Sequence, residues 1–273
     1  MTRQEIGIPV EWAAQEGWNP GLYDGESFYA ADPDGFILGL LDGEPVACIS
    51  AVRYGTSFGF IGFYIVKPEF RGKGYGLQTW NAALHALEGR NIGLDGVVDQ
   101  QENYRKSGFD LAYRNIRFKG AGGGDFEAPP EIITLSDVGF ETIEAYDRQF
   151  FPGPRTAFLR TWINQPGSAF RGFWRAGKLS GYGVLRQCRS GYKIGPLFAD
   201  SPEQADMLFQ SLKATTPAGE PVYLDVPETN TAAVALARRH QMQVVFETAR
   251  MYTGSAPEIS LHSLYGVTSF ELG

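Results

Sequence analysis

A strand, turn, strand pattern that occurs twice in the chain limits its possible folds more than any other sequence feature. The segment GLLDGEPVACISAVR at 39–53 has the same layout as FWRAGKLSGYGVLRQ at 173–187, and Gly43 of the first corresponds to Gly177 of the second. The segments that follow also match in order, since FIGFYIVK is paralleled by KIGPLFAD, NIGLDG by PVYLDV and IRFKG by RMYTG. Because a repeat of about 130 residues has the size of a domain, the sequence predicts two related domains in tandem.

The first copy predicts a β-meander followed by a helix and two further strands. Strand-like runs occupy 36–41, 45–54 and 57–66 and are separated by short turns. Apolar residues at helical spacing then predict a helix that starts near Leu77, with Gly89 as its stop. Later segments predict a strand at 92–98, a short helix at 103–109 and a strand at 111–120.

A linker rich in Gly and Pro separates the two predicted domains. Residues 119–131 read KGAGGGDFEAPPE, with little to bury. We therefore place the first domain at 1–122 and the second at 130–273. The total of 273 residues, 43% of them hydrophobic, is enough for two domains of ordinary size.

Charge and cysteine content restrict the partners and the compartment. The formal net charge is −7, which argues against nucleic acid or a membrane surface, because such partners usually bind a basic face. No run of about 18 apolar residues and no signal-peptide pattern occurs. Cys48 and Cys188 lie far apart within apolar runs, unlike the dense cysteine sets of secreted domains. We expect a cytoplasmic protein that binds neither nucleic acid nor a membrane, with both thiols buried.

Residues 71–76, RGKGYG, predict an anion-binding loop between the third strand and the following helix. The N-terminus of a helix presents unpaired N–H groups and the positive end of its dipole, and glycines let an anion approach them. Arg71 and Lys73 add full charges. A Walker loop is excluded because Lys73 is followed by Gly74 and Tyr75, and a dinucleotide fingerprint is excluded by the G-x-G-x-G spacing. The residues expected to bind a diphosphate are Arg71, Gly72, Lys73, Gly74, Tyr75 and Gly76.

The segment VKPEFRGKGYGLQTW resembles the acetyl-coenzyme A signature of the GNAT N-acetyltransferase superfamily, (R/Q)-x-x-G-x-(G/A), with Arg71, Gly74 and Gly76 at its defined positions. The order of elements over residues 5–120 is also similar to that of the family. The resemblance implies an α/β (α+β) class, with tandem GNAT-like domains that each have a mixed, mostly antiparallel central sheet flanked by helices. It also implies acetyl-coenzyme A as cosubstrate, with no metal, and no cluster of His or Cys stands at metal-ligand spacing.

The resemblance also implies roles for individual residues. Ile65 and Val66, at the end of the third strand, would hold the pantetheine arm through their backbone groups. Tyr104, in the segment YRKSGF, matches the family tyrosine that protonates the departing thiolate, and such an acid is typically worth about 10²- to 10⁴-fold in rate. Family members often have an asparagine seven residues earlier, where this chain has Val97. Asn103, the nearby asparagine, is counted here with the cofactor-binding residues.

The second copy has lost both the loop and the acid. No Gly or Arg occurs between Leu197 and Ala218, where the first copy has RGKGYG, and Ala237 stands where the acid tyrosine would be. The whole chain thus resembles the GNAT subgroup in which a coenzyme-free unit follows the catalytic one. We expect the second unit to shape or cover the acceptor pocket.

The attacking amine must lose a proton, and no histidine lies in the strands predicted beside the site. Asp95 and Asp99 are predicted on one face of the strand that leads to Tyr104, because strand side chains alternate. Asp99 is nearer the acid and is the first candidate base, directly or through a water relay. Asp95 has a counterpart in Asp225 of the second copy, which favours a structural role or a shared pocket wall, and Asp95 is counted here with the acceptor-binding candidates.

Tyr23 and Asp24 are the other candidate acceptor-binding residues. They lie in the aromatic-rich segment 16–35, which corresponds to the variable entrance region of the family. Asp24 could meet an ammonium group, and Tyr23 could form an aromatic wall together with Trp18, Phe28 and Tyr29. Packing of these aromatic residues under the loop fits the sequence equally well.

These features predict an N-acetyltransferase that transfers the acetyl group of acetyl-coenzyme A to a primary amine of a small molecule or peptide by direct attack. The alternative is a non-catalytic acyl-coenzyme A binding or regulatory module. The sequence leaves the acceptor open among amino acids, polyamines, aminoglycosides and peptide N-termini. It also leaves open the acyl chain length and the oligomeric state.

Overall fold

Both halves of the chain contribute strands to one twelve-stranded sheet in the computed structural model, which describes residues 1–273. The first half contains α1 (Gly7–Gln15), α2 (Asp24–Ala31), β1 (Phe36–Leu41), β2 (Glu44–Tyr54), β3 (Phe58–Val66), α3 (Tyr75–Ala86), β4 (Asn91–Val97), α4 (Gln101–Lys106) and β5 (Asp110–Ala121). The second half contains β6 (Ile132–Thr134), α5 (Phe140–Asp147), α6 (Thr156–Trp162), β7 (Ala169–Arg175), β8 (Lys178–Gln187), β9 (Tyr192–Ala199), α7 (Pro202–Lys213), β10 (Pro221–Pro227), α8 (Thr231–Arg239), β11 (Gln243–Tyr252) and β12 (Leu264–Gly266). The sheet is mixed and mostly antiparallel, as predicted.

The strands predicted for the first half are present to within one residue at each end. The helix after the glycine loop is α3, and the predicted short helix is α4. Neither α1 nor α2 was predicted from the sequence, and the segment 16–35, which contains α2, was interpreted as an entrance loop. In that segment Phe28 is fully buried, with its ring centroid 5.4 Å from that of Phe63 and 5.9 Å from that of Trp162. Because Trp162 belongs to the second half, α2 packs between the two halves.

The predicted repeat is confirmed in the arrangement of strands. β1 and β2 form a hairpin whose turn has φ of 53° at Asp42 and 87° at Gly43, and the turn between β7 and β8 has φ of 51° at Ala176 and 77° at Gly177. Two successive positive φ angles give the turn the twist that a hairpin needs. In each half the third strand of the meander then pairs in parallel with the next strand, β3 with β4 and β9 with β10.

The last strands of the two halves are exchanged. The sheet order is β1-β2-β3-β4-β11-β5-β10-β9-β8-β7-β6. β11 of the second half therefore lies beside β4 of the first, and β5 of the first half lies beside β10 of the second. A separate sheet for each half, which the resemblance implied, is replaced by one shared sheet. The segment 122–131 connects β5 to β6, and the boundaries 1–122 and 130–273 stay a prediction.

Two buried ion pairs cross between the exchanged strands. Asp95 on β4 accepts hydrogen bonds from Arg250 on β11 at 2.9 and 2.6 Å, and Asp225 on β10 accepts them from Arg117 on β5 at 2.6 and 2.7 Å. All four side chains are at most 6% exposed. Burial alone would raise the pKa of the Asp225 carboxyl, but the Arg117 cation and its hydrogen bonds bring it below its usual value. Each pair joins one half of the chain to the other.

The short strand β12 occupies a gap in the second half. β9 pairs with β10 only from Tyr192 to Ile194. Beyond that point β12 pairs with β9 at Leu197 and Phe198, and the N–H of Val267 donates to the carbonyl oxygen of Asp225 at 2.8 Å. The two parallel strands therefore separate, and the C-terminal segment fills the space between them.

Two further sequence features can be compared with the structure. Cys48 and Cys188 are free, buried thiols, as predicted, and burial raises the pKa of Cys48 to about 12. No helix of the chain combines the length and the apolar character that crossing a lipid bilayer requires.

Substitution of Asp225 by Ala is expected to lower the free energy of unfolding by about 3–5 kcal/mol, because it leaves the buried Arg117 cation without its partner. Urea unfolding at pH 7 followed by circular dichroism measures the change. The matched control is Asp125→Ala, which removes an exposed carboxylate. A loss below about 1 kcal/mol would show that the pair does not hold the exchanged strands.

The stability difference between wild type and Asp225→Ala should also depend on pH. Because the pKa of Asp225 is lowered in the folded protein, its contribution is complete above the unfolded pKa of about 3.9 and is lost as the pH falls through the folded value. The difference in free energy of unfolding, measured from pH 7 to pH 2, is expected to narrow only below about pH 4. Narrowing that begins near neutrality would contradict this assignment.

Candidate functional site

A cavity of about 750 Å³ lies where β3 and β4 separate. The two strands pair in parallel from Phe58 and Asn91 to Ile61 and Leu94 and no further. Residues 61–66 of β3 and 94–97 of β4 line the cavity beyond that point. The cavity therefore occupies the same place in the first half that β12 fills in the second.

A bulge in β3 accompanies the separation of the strands. The register between β2 and β3 shifts between Cys48 and Ser50, and Phe63 opposite this shift has a φ of 48°. A bulky residue at positive φ is strained, and such strain is found mainly at functional sites. The bulge bends the strand and changes the direction of its backbone groups. This bulge could not be predicted from the sequence, because Phe63 lies in a regular apolar run.

The glycine loop opens onto the mouth of this cavity. Gly72 and Gly74 have φ of 74° and 86°, and Gly74 is the N-cap of α3, whose first turn has no side-chain cap. A Cβ on Gly76 would lie 2.7 Å from Tyr64 Oη, so glycine lets α3 approach β3 closely. The uncapped N–H groups of the first turn are therefore free to bind an anion.

The predicted loop residues separate into two groups. Arg71, Gly72, Gly74 and Gly76 line the cavity, together with Ile65 and Val66 of β3. Lys73 and Tyr75 do not line it, since both pack against Phe70, with Lys73 Nζ 5.3 Å from the ring centroid and the Tyr75 ring at 6.0 Å.

Arg71 is held in place by two partners. Its Nε donates to the carbonyl oxygen of Val66 at 2.9 Å, and its guanidinium forms an ion pair with Glu16, the residue after α1. Glu16 also lines the cavity, and the sequence analysis did not identify it. The carboxylate of Glu16 therefore stands where it would compete with an anion for Arg71.

Tyr104 is placed on the β4 side of the cavity by close packing. Its ring lies against Gly96, where a Cβ would be 2.2 Å from the ring, and its centroid is 5.6 Å from that of Trp80. The residue is 8% exposed, and burial, with a smaller contribution from Tyr64, raises the pKa of its phenol well above the usual value. The phenol thus keeps its proton at neutral pH and can act as an acid. Asn103 beside it also lines the cavity and donates to Gln100 Oε1 at 2.8 Å.

The two candidate bases lie in different environments. Asp95 lines the cavity, but its carboxylate is occupied by Arg250 and by Asn115 Nδ2 at 2.8 Å. Asp99 is exposed and belongs to a 3₁₀ turn, Val98–Gln100, because β4 ends at Val97. The prediction that Asp99 shares a strand face with Asp95 is wrong, and Asp99 does not line the cavity.

Tyr23 and Asp24, which were predicted to bind the acceptor, do not reach the cavity. Asp24 begins α2, is 1% exposed and forms a buried ion pair with Arg186 of β8, so it cannot meet an incoming ammonium group. It also accepts a hydrogen bond from the N–H of Gly21 at 2.8 Å. Tyr23 is 45% exposed on the surface outside the cavity. The prediction for Asp24 is therefore wrong, and that for Tyr23 has no support in the geometry.

A further group of five lining residues contains only one, Trp18, that was predicted from the sequence, as part of an aromatic wall. They come from the segment after α1, from β11 and from the C-terminal segment, and they are Trp18, Phe246, Thr248, Phe270 and Glu271. Four of the five belong to the second half of the chain. The predicted contribution of that half to the pocket is supported. It arises because the exchanged strand β11 lies beside β4 and brings Phe246 and Thr248 to the cavity.

The chain is similar to proteins of one family over nearly its whole length. A model of the acetyltransferase (GNAT) family matches residues 9–109, and a model of an acetyltransferase (GNAT) domain matches residues 143–266. The chain is 34% identical over 275 residues to the holothin acyltransferase of Pseudoalteromonas sp. (strain SANK 73390), covering 99% of this chain and 92% of that protein.

Solved structures share the fold of both halves together. A putative acetyltransferase from Pyrococcus horikoshii has a TM-score of 0.83 at 23% identity, with 100% of this chain and 94% of that chain covered. A tandem GNAT protein from the clavulanic acid biosynthesis pathway has a TM-score of 0.62 at 12% identity, with 94% and 98% covered. The architecture of two joined halves is thus common to these proteins.

Proposed function

The chain belongs to the GNAT acetyltransferase family and is an acyltransferase, and we propose that it transfers the acetyl group of acetyl-coenzyme A to a primary amine of a small molecule or peptide. The observation that carries this proposal is the uncapped N-terminus of α3 at the mouth of the cavity between β3 and β4. This arrangement fits a ligand whose phosphorylated end binds at the mouth of the cavity and whose reactive end lies within the cavity.

The coenzyme would bind along the β3 side of the cavity. The N–H groups of residues 72–76 and the guanidinium of Arg71 would bind the diphosphate, for which Arg can supply two donors at once. The backbone of Ile65 and Val66 would hold the pantetheine arm, since both residues line the cavity beyond the point where β3 and β4 stop pairing. The thioester would then lie deeper, towards Gly62 and Tyr104.

Transfer would proceed by direct attack of the amine on the thioester carbonyl. The C–S bond breaks with its electron pair on sulfur, and the protonated phenol of Tyr104 supplies the proton that the thiolate takes up. Because a thiol has a pKa near ~8.5, protonation makes the thiolate a better leaving group at neutral pH. Asp95 does not fit the role of base, since Arg250 already binds its carboxylate through two hydrogen bonds.

The acceptor and the compartment complete the proposal. The relative named as a holothin acyltransferase makes holothin one acceptor to test. A cytoplasmic location is supported by the two buried free thiols, because cysteines of secreted proteins are usually paired. No observation favours the non-catalytic alternative over an enzyme.

Substitution of Tyr104 by Phe is expected to lower kcat by about 10²-fold, because the thiolate then leaves without its acid. Thiol release with acetyl-coenzyme A is measured against a panel that contains holothin, 2-phenylethylamine, spermidine and a peptide with a free N-terminus. The affinity for coenzyme A, measured by calorimetry, should not change. Tyr23→Phe, which removes an exposed phenol outside the cavity, is the control. Unchanged kcat in Tyr104→Phe would rule out this residue as the acid.

Substitutions of the two partners in the Arg71–Glu16 ion pair are expected to change the affinity for coenzyme A in opposite directions. Arg71→Glu is expected to weaken coenzyme A binding by more than about tenfold, because it replaces a diphosphate ligand with a like charge. Glu16→Gln should tighten binding by up to about fivefold, since an exposed ion pair is worth up to about 1 kcal/mol. Calorimetry at low salt measures both, with Arg148→Glu, an exposed arginine on another surface, as the control. Equal affinity in all variants would refute a diphosphate site at this loop.

A further inference from the structure

Glu271 is a buried carboxylate without a partner, and it lines the cavity. The residue is 3% exposed, and its Oε1 has no hydrogen-bond partner. The other buried carboxylates that form ion pairs are each bound by an arginine, in the pairs Asp24 with Arg186, Asp32 with Arg53, Asp95 with Arg250, Asp147 with Arg155 and Asp225 with Arg117. A buried charge without such a partner is costly. Glu271 therefore differs from the others in having no hydrogen-bonded counter-ion within the chain.

The C-terminal segment fixes Glu271 at the point where β3 and β4 separate. A Cβ on Gly62 of β3 would lie 1.9 Å from the backbone oxygen of Glu271, so only glycine lets the segment come this close. The next residue, Leu272, is held by two hydrogen bonds. Its carbonyl oxygen accepts one from Tyr54 Oη at 3.2 Å, and its N–H donates one to Ser269 Oγ at 3.1 Å. Glu271 and Tyr104 thus stand on the two walls of one cavity.

The charges behind Glu271 do not bind it directly. Arg117 of β5 and Arg186 of β8 are paired with Asp225 and Asp24, and no carboxylate lies within ion-pair distance of Lys193 on β9. Burial lowers the pKa of Lys193, and the Arg117 cation lowers it further, whereas Asp225, Glu271 and the thiol of Cys188 raise it. Glu271 therefore interacts with these cations only through space, without a hydrogen bond, and the residue lines the cavity.

The surroundings of Glu271 in the cavity are aromatic. Trp18, Phe246 and Phe270 line the same space. Arg117 covers the Phe270 ring at 4.7 Å from its centroid, on the protein side. Aromatic faces next to a carboxylate favour an organic ammonium with an apolar body, since both attract the cation and the rings bury the rest.

We propose that Glu271 binds the ammonium group of the acceptor and takes up its proton, and that the acceptor is a primary amine with an aromatic or other apolar body. This inference rests on the proposed function. One proton passes from the ammonium to Glu271, and the nitrogen lone pair forms the C–N bond to the thioester carbonyl carbon. The C–S bond breaks, Tyr104 gives its proton to sulfur, and the second N–H proton restores the phenol. The proton on Glu271 leaves to solvent, so one proton is released for each turnover.

The test compares Glu271→Gln, Glu271→Asp and wild type, with Glu258→Gln as the matched control. Glu258 is an exposed carboxylate of the same terminal region that does not line the cavity. The probes are acetyl-coenzyme A with 2-phenylethylamine or with holothin. In Glu271→Gln we expect kcat/KM for 2-phenylethylamine to fall about 100-fold, with unchanged affinity for coenzyme A. Glu271→Asp should recover part of the activity, and Glu258→Gln should match wild type.

The melting temperature separates a role in the reaction from a role in folding. A neutral amide relieves an unpartnered buried charge, so Glu271→Gln should melt at the same temperature as wild type or higher. If Glu271→Gln lowers the melting temperature and weakens coenzyme A binding as much as it lowers kcat/KM, Glu271 is a structural counter-ion. Unchanged kcat/KM in Glu271→Gln would also overturn the inference. Thiol release by wild type with spermidine but with neither 2-phenylethylamine nor holothin would overturn the acceptor class. Thiol release with neither amine, nor with any other in the panel, would instead contradict the proposed function, and the inference would fall with it.

Discussion

The two buried aspartate–arginine pairs between the exchanged strands determine how the rest of the chain is assembled. Removing four charges from water is costly, and each pair offsets this cost only when both of its strands are in place. Asp95 belongs to the first half and finds its arginine on β11 of the second, while Asp225 of the second half finds Arg117 on β5 of the first. Neither half can satisfy its buried charge alone. The two copies therefore share one sheet and one folded body.

The same exchange determines the composition of the cavity. Because β11 lies beside β4, the side chains of Phe246 and Thr248 form the wall next to Tyr104. If β5 took that place, as in a self-contained half, residues of the first half would form this wall. The proposed coenzyme side of the site thus comes from the first half and the proposed acceptor side largely from the second. Binding and specificity can then change independently, since they reside in different parts of the sequence.

Local features of the chain could be predicted from its sequence, whereas the pairing between distant strands could not. The glycine loop and the hairpins depend on nearby residues, so their signals lie within a few positions. β5 and β11 carry similar strand patterns, and either one could pair with β4. One signal for the pairing was present in the sequence. Asp95 and Asp225 stand at corresponding positions of the two copies, and a buried aspartate needs a cation as its partner. Asp99 was misplaced because alternation was extended past Val97, where β4 ends, and Asp24 because α2 was taken for a loop.

The filled cleft of the second half and the open cavity of the first are linked through one segment. The separation of β9 from β10 would leave an open cleft, and β12 closes it by pairing with β9. That pairing fixes the position of Leu264–Gly266, and the close contact between Gly62 and the backbone of Glu271 fixes the position of the residues that follow. If a ligand occupied the cleft, β12 would be displaced and Glu271 would lose its anchor. The position of Glu271 on the cavity wall of the first half therefore depends on β12 occupying the cleft of the second.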